Sequence, residues 1–433
     1  MNGMGAKLDD YRAVAPRGSV DFMLRIADRL RGRRIVQVSV SRYGAAAEIL
    51  KRIVPILNDL GIETGWEVVI GSADFDAIVT AVNKGLAGVE QVVTEAMLAR
   101  LHATCASNAR RLPLDADLVI VHDAAALLLV EGRPAGGRWL WRYHGDLSSP
   151  QPQLWNALRP FVDKYDAAVF STPRFAAPLS TRRFLIAPSI DPLSERNREM
   201  PRAEQSRHLE RLGVRSDKPV LLQVGPFERL QDPLGVINAY RLVKLHHDVR
   251  LVLAGPPPRA GGVLMETQEA ASEDPDITVV VLPPDPETEL NALERAATIV
   301  LQKPLSTDFG IDVAAAMWKG KPIVGSLAGG IPSQIVSKVT GYTVETVEGA
   351  AFRIRHLLGN PEMIGRMGAA GREHVRRNFL ITRHLGDYLA LLSHLSGQTS
   401  PQASAQASAQ TSAQTSPQTS AQTSAQTSAQ TSE

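Results

Sequence analysis

The sequence predicts an α/β protein built as two parallel-sheet halves facing each other across a cleft, and three observations carry that prediction. Short apolar runs alternate with amphipathic segments along most of the chain. The alternation breaks at the proline- and polar-rich "FLIAPSIDPLSERN" (184–197) and restarts at "PVLLQVGPF" (219–227). The 433 residues, 44% of them hydrophobic, are too many for one ordinary domain and enough for two sizeable cores.

In the first half the expected strands are "RIVQVSV" (34–40), "GWEVVIG" (65–71), "DLVIVHD" (117–123), "RWLWRYH" (138–144) and "AAVFST" (167–172). Helical periodicity fills the gaps, as from Ala45 to Leu60, where apolar residues recur at three- and four-residue spacing. The second half repeats the scheme with "PVLLQVGPF", "VRLVLAGP" (249–256), "DITVVVL" (276–282), "ATIVLQ" (297–302) and "PIVGS" (322–326). Strand-helix alternation favours a parallel sheet covered on both faces. The expected organisation is an N-terminal domain over 1–183, a linker over 184–218, a second domain over 219–378, a returning helix over 379–396 and a tail over 397–433.

Composition excludes several classes. Lys plus Arg exceeds Asp plus Glu by two (47 against 45), so no charge argument supports a nucleic-acid or anionic-membrane partner. The N-terminus lacks a signal-peptide core and no apolar run reaches membrane-spanning length, so a cytoplasmic protein is expected. One cysteine, Cys105, precludes an internal disulfide and suits a reducing compartment. The tail repeats Ser, Gln, Thr and Ala with no large apolar side chain, so disorder is expected there. Deleting 397–433 is therefore expected to leave the melting temperature and ligand affinity within error, as thermal unfolding of the truncated chain would show. A drop of several degrees would mean that the repeat docks.

Ligands in parallel sheets bind beyond the carboxyl ends of the strands, so the loops there hold the candidates. After the first strand, "SVSRYGAAAEIL" carries Arg42 and opens a helix at Gly44, offering backbone N–H groups to an anion or a hydroxyl. "VHDAAA" places His122 and Asp123 at the end of a strand, and "WRYHGDLS" places His144 and Asp146 at the end of another, flanked by Trp141 and Arg142. Neither His/Asp pair has metal-ligand spacing with further ligands nearby, and no metal is expected. In the second half, Gly225 ends a strand, Arg229 precedes a helix, and Gly329-Gly330 opens another, where a backbone can approach a phosphate closely. A dehydrogenase built on two nucleotide-binding units is disfavoured, because no G-x-G-x-x-G follows the first strand.

The phrases "WRYHGDLS", "PSIDPLSERN", "FERLQDPLGVINAYRLVK", "NALERAATIVLQK", "AAMWKGKPIVG", "GGIPSQI" and "EHVRRNFLITRHLGDYL" together resemble the trehalose synthase and trehalose phosphorylase group of the family 4 retaining glycosyltransferases. The resemblance spans roughly residues 15–395. It implies the glycosyltransferase B-type fold, two Rossmann-like domains facing across a cleft, with the last helix crossing back to the first. It also implies a nucleotide-diphosphoglucose donor, glucose or a similar sugar as acceptor, an α,α-1,1 glucoside product and no metal; a homodimer is compatible with it. On this resemblance His144 corresponds to the histidine near the transferred sugar, Asp146 to the acid beside it, and Gly44 to the first residue of the glycine-rich loop. Gly329 and Gly330 correspond to the donor-domain glycine pair, and Phe309-Gly310 to the middle of the Glu-Gly-Phe-Gly element.

The departures concentrate on charge. Thr307, with Asp308 beside it, and Ala315 stand where the family has two glutamates, one near the sugar and one on the ribose. Pro226 and Gln231 stand where it has an arginine and a lysine on the diphosphate. Ala45 and Ala46 replace further glycines, and a His-Asn pair reads Val82-Asn83. Two expectations follow: a glucosyltransferase whose diphosphate is stabilised chiefly by Arg229, with Arg42 as a second candidate, or a catalytically impaired relative that binds sugar or nucleotide as a regulatory partner.

Overall fold

The computed structural model describes residues 6–258 and 262–397, so the repeat tail beyond Gly397 lies outside the described residues. The first half forms a six-stranded parallel sheet from β1 (Arg34–Ser39), β2 (Glu63–Val68), β3 (Leu118–His122), β4 (Arg138–Arg142), β5 (Ala167–Phe170) and β6 (Arg182–Leu185), in the order β2-β1-β3-β4-β5-β6. The second sheet, again six parallel strands, comprises β7 (Val220–Val224), β8 (Arg250–Gly255), β9 (Ile277–Val281), β10 (Ile299–Gln302), β11 (Ile323–Gly325) and β12 (Gly341–Thr343), in the order β12-β11-β10-β7-β8-β9.

The central strands β3, β4, β7 and β8 are buried along their whole length, which is why they read as near-continuous apolar runs. Two edge strands were not anticipated. β6 presents mostly exposed side chains and carries two arginines, and β12 has only three residues, so neither leaves an apolar signature. β2 begins at Glu63, two residues earlier than expected, because Glu63 and Gly65 face solvent.

The segment after β6 is firmly held. Its helix Arg202–Arg211 buries Leu209 in the same cluster as Val220 and Leu222 of β7. Arg196 reaches Glu294 (2.8 Å) and Asp312 (2.7 Å), and Glu294 also meets Lys319 at 2.6 Å. Glu294 and Lys319 are completely buried, and Lys319 donates to Asn197 Oδ1 (2.9 Å). The two cations hold the Glu294 carboxyl below its usual range, outweighing burial. Ile190 and Leu380 bridge as neighbours, with Ile190 N–H donating to Phe379 (2.8 Å) and Ile381 N–H donating back to Ile190 (2.9 Å). From that point the helix Ile381–Ser396 packs Leu385, Leu389, Leu392 and Leu395 into the core of the first half, beside Met23, Leu30 and Leu50. Among the described residues no helix is long and apolar enough to cross a membrane.

Candidate functional site

A cleft of about 730 Å³ opens between the two sheets. Gly44, Asp123 and His144 line it from the first half, and Thr307, Asp308, Phe309 and Gly310 line it from the second. These residues were expected at strand ends, and the parallel sheets bring them onto facing walls. The cleft walls also include Asn83, Tyr143, Pro188, Ser189 and Asp312.

Local chemistry sets each wall. Gly44 sits at φ 90°, a conformation that side chains resist, and it starts the helix Ala45–Asp59 directly over the cleft. Gly329 also has a packing task. A Cβ there would lie 2.1 Å from the carbonyl oxygens of both Thr307 and Asp308, so the glycine is required for its loop to close on the 307–310 loop. Gly330 N–H donates to Asp308 O (2.9 Å), and Gln334 Nε2 donates to the carbonyls of Phe309 (2.7 Å) and Gly310 (3.0 Å). The doublet thus shapes the cleft wall formed by the 307–310 loop.

Asp123 combines two unusual features. Its φ of 71° is rare for a side-chain-bearing residue, and burial pushes its carboxyl up to about 6. Its Oδ2 accepts from Val40 N–H at 3.4 Å. Asp308 is also raised, by burial and by the charge of Asp146, a residue of the first half that is not itself on the cleft wall. Asp146 accepts from Ser148 N–H (2.8 Å).

His144 belongs to a chain of buried polar groups. Its Nε2 lies 3.0 Å from His122 Nδ1, with the rings stacked at 14°. His122 Nε2 lies 2.9 Å from Gln37 Oε1, which also accepts from the Tyr388 hydroxyl (3.3 Å). Arg142 is fully buried and donates to Ile186 O at 2.7 Å; burial lowers its guanidinium to about 10, leaving it a cation at neutral pH. Burial first, and the Arg142 charge second, depress His122 to about 3 and depress His144 as well. His384, which contacts Ala187 O at 3.0 Å, is depressed by burial and by Arg383.

Three imidazoles that stay neutral in the fold take up protons only in the unfolded chain once the pH drops below about 6.5, so stability falls as pH falls. Each contributes a slope approaching about 1.4 kcal/mol per pH unit, and Asp123, whose folded carboxyl is raised, opposes one of them below about 6. The urea midpoint is expected to decline between about pH 7 and 5.5 and to decline less in His122→Gln. A midpoint independent of pH would mean that the imidazoles protonate in place.

The cations are placed differently from the expectation. Arg42 lies over the Trp66 ring (4.5 Å) and donates to Trp66 O, apart from the cleft walls. Arg229 is 72% exposed and paired with Glu266 at 2.7 Å. Gln231 turns its side chain onto Gly225, where a Cβ would meet Gln231 Oε1 at 3.1 Å, so a neutral amide occupies that strand end. Ala315 is 2% exposed and packs in the core around Val313 and Met317, with its carbonyl accepting from Lys319 (3.1 Å). Trp141 is buried, its indole N–H donating to Asp123 O at 3.1 Å, a supporting role.

Two cations escaped the sequence reading. Lys303 follows β10 directly and ion-pairs with Asp232, which also accepts from Gly235 N–H to start the next helix. The strand-end rule that singled out His122 and His144 applied equally to Lys303. Arg174 reaches across from the first half to Leu327 O (3.1 Å), a contact without a sequence signal. Among the described residues no cluster of three or more His, Cys, Asp or Glu could hold a metal.

Residues 37–177 match the model of the trehalose synthase N-terminal domain, and residues 204–374 match that of the glycosyl transferases group 1. The chain is 37% identical over 402 residues to a trehalose synthase of Pyrococcus horikoshii, covering 90% of this chain and 97% of that protein. It is 35% identical over 405 residues to a trehalose synthase of Rubrobacter xylanophilus, covering 90% and 97%. Among solved structures, a UDP-forming α,α-trehalose-phosphate synthase from Burkholderia xenovorans superposes with a TM-score of 0.64 at 15% identity, covering 84% of this chain and all (100%) of that one. That likeness places the two facing sheets in the glycosyltransferase B-type fold.

Proposed function

Because the chain belongs to the trehalose synthase family of glycosyltransferases, we propose that it moves a glucosyl group from a nucleotide-diphosphoglucose to glucose or a similar sugar, giving an α,α-1,1 glucoside with retained configuration. The observation that carries this reading is the cleft itself, where Gly44, Asp123 and His144 face Thr307, Asp308, Phe309 and Gly310. The donor sugar would lie between His144 and the 307–310 loop, and Asp123 would accept a hydrogen bond from the acceptor sugar. Same-face substitution asks the protein for orientation and for stabilisation of the leaving diphosphate; the departing phosphate oxygen takes the acceptor's proton. The reading invokes no metal and a cytoplasmic setting.

A second reading has its own support. Gln231 is neutral, Lys303 and Arg229 are each paired with a carboxylate, and Glu48, Asp123, Asp308 and Asp312 line the cleft against Lys84. Such a site binds a diphosphate weakly, which suits an impaired relative that holds a sugar and acts through a partner. Calorimetry with UDP-, ADP- and GDP-glucose, followed by release of nucleotide diphosphate with glucose present, separates the two. Under the first reading one donor binds and turns over, and His144→Ala lowers turnover by about 10²-fold. Sugar binding without diphosphate release supports the second. Binding of neither removes both.

A further inference from the structure

The chain of groups behind His144 has a direction. The Tyr388 phenol is held protonated by burial, so its hydroxyl donates to Gln37 Oε1. Gln37 Oε1 can only accept, so the second group on it, His122 Nε2, must be the one carrying hydrogen. A neutral His122 then has a bare Nδ1, and the 3.0 Å contact requires His144 Nε2 to donate to it. His144 Nδ1 is left as a lone pair; it is buried and has no hydrogen-bond partner among the described residues. Gln37 Nε2 is likewise buried without a partner among the described residues, so the direction of the chain rests on the contacts of Gln37 Oε1 with both Tyr388 and His122.

We propose that Gln37, His122 and Tyr388 are positioning residues that hold His144 in the cleft wall as the Nε2–H tautomer, with Nδ1 kept as an acceptor for a sugar hydroxyl. The role assigned to Nδ1 rests on the glycosyl-transfer reading; the tautomer does not. Gln37 comes from β1, His122 from the end of β3 and His144 from the loop after β4, three adjacent strands of one sheet. Tyr388 comes from the helix Ile381–Ser396, which enters from the other half. The same helix grips the cleft wall a second time, through Arg383 Nη2 to the carbonyls of Ala187 (2.7 Å) and Pro188 (3.2 Å). Docking of the last helix therefore sets both the imidazole and the loop next to it. The charged groups that face the chain are Arg142 and Arg383, and both favour neutral imidazoles.

The test is nitrogen-15 NMR of protein labelled at histidine, with His144→Ala and His122→Asn used to assign the two rings. Wild type is expected to show hydrogen on Nε2 and a bare Nδ1 for both. Hydrogen on Nδ1 of His144 overturns the proposal, and is what the opposite orientation of the Gln37 amide would produce. Gln37→Leu removes the acceptor and is expected to convert His144 to a mixture of tautomers, whereas Gln37→Glu, which keeps an acceptor, preserves the wild-type pattern. An unchanged tautomer in a folded Gln37→Leu variant shows that the chain does not control it. If that variant unfolds, the wild-type spectrum alone still decides the direction. None of these readouts needs turnover, so a protein that transfers no sugar can still show the tautomer, and an active one can lack it.

Discussion

Gln231→Lys combined with Pro226→Arg is expected to tighten binding of a nucleotide-diphosphoglucose by about 10- to 100-fold. A charge-assisted hydrogen bond contributes about 1.5–3 kcal/mol, two in one pocket do not add fully, and each 1.4 kcal/mol is about tenfold. The geometry favours the lysine, because residue 231 already lies against Gly225, at the carboxyl end of the central strand β7. Thr307→Glu can be added on the cleft wall. Ala315→Glu is different, since that side chain would enter a position only 2% exposed, where overpacking costs about 1–3 kcal/mol. The triple variant is therefore expected to bind better than the quadruple one. Isothermal calorimetry at two salt concentrations checks the idea, because affinity gained from the new cations must weaken as salt rises. Equal affinity in wild type and double variant would mean that another group already holds the diphosphate.

Glu294→Ala is expected to destabilise the fold by about 3–5 kcal/mol, the usual consequence of stranding a buried charge. Lys319 has no exposed side-chain surface, and among the described residues Arg196 would retain only Asp312 as an ion-pair partner. At about 2–4 °C per kcal/mol for units of this size, the melting temperature should fall by about 6–20 °C. Replacing both members, as Glu294→Leu with Lys319→Met, is expected to restore most of that loss, since an apolar pair of similar volume leaves no bare charge. A double variant as unstable as the single one would show that the network matters through Arg196 and the linker it anchors. A loss below about 1 kcal/mol in Glu294→Ala would indicate that water reaches Lys319.

The contrast between these two sites bears on what could be read in advance. Buried strands such as β3 and β7 were legible because burial on both faces demands long apolar runs. His144 and Asp123 were legible as cleft candidates because strand ends in a parallel sheet point to one edge, and Phe309-Gly310 through the family resemblance; the structure places all four on the cleft walls. β6 and β12 were not, since an edge strand needs no apolar pattern. The Arg196–Glu294–Lys319 network was not, since Arg196 lies 98 residues before Glu294 and meets it only when the linker folds onto the second half. Charge in the sequence likewise did not reveal its placement: Arg229, expected at the diphosphate, lies exposed beside Glu266, while Lys303 was passed over and sits buried beside Asp232.

By itself, then, the sequence determined the two-sheet architecture and the family resemblance, because local periodicity and residue identity suffice for those. Only the tertiary structure decided that Gly329 shapes a loop, that Ala315 is core, and that His144 is oriented through His122 and Gln37 by a tyrosine more than two hundred residues away. The physical reason is that hydrogen-bond direction, burial and ion pairing depend on which groups share a small volume, and distant segments of the chain come to share it only through packing.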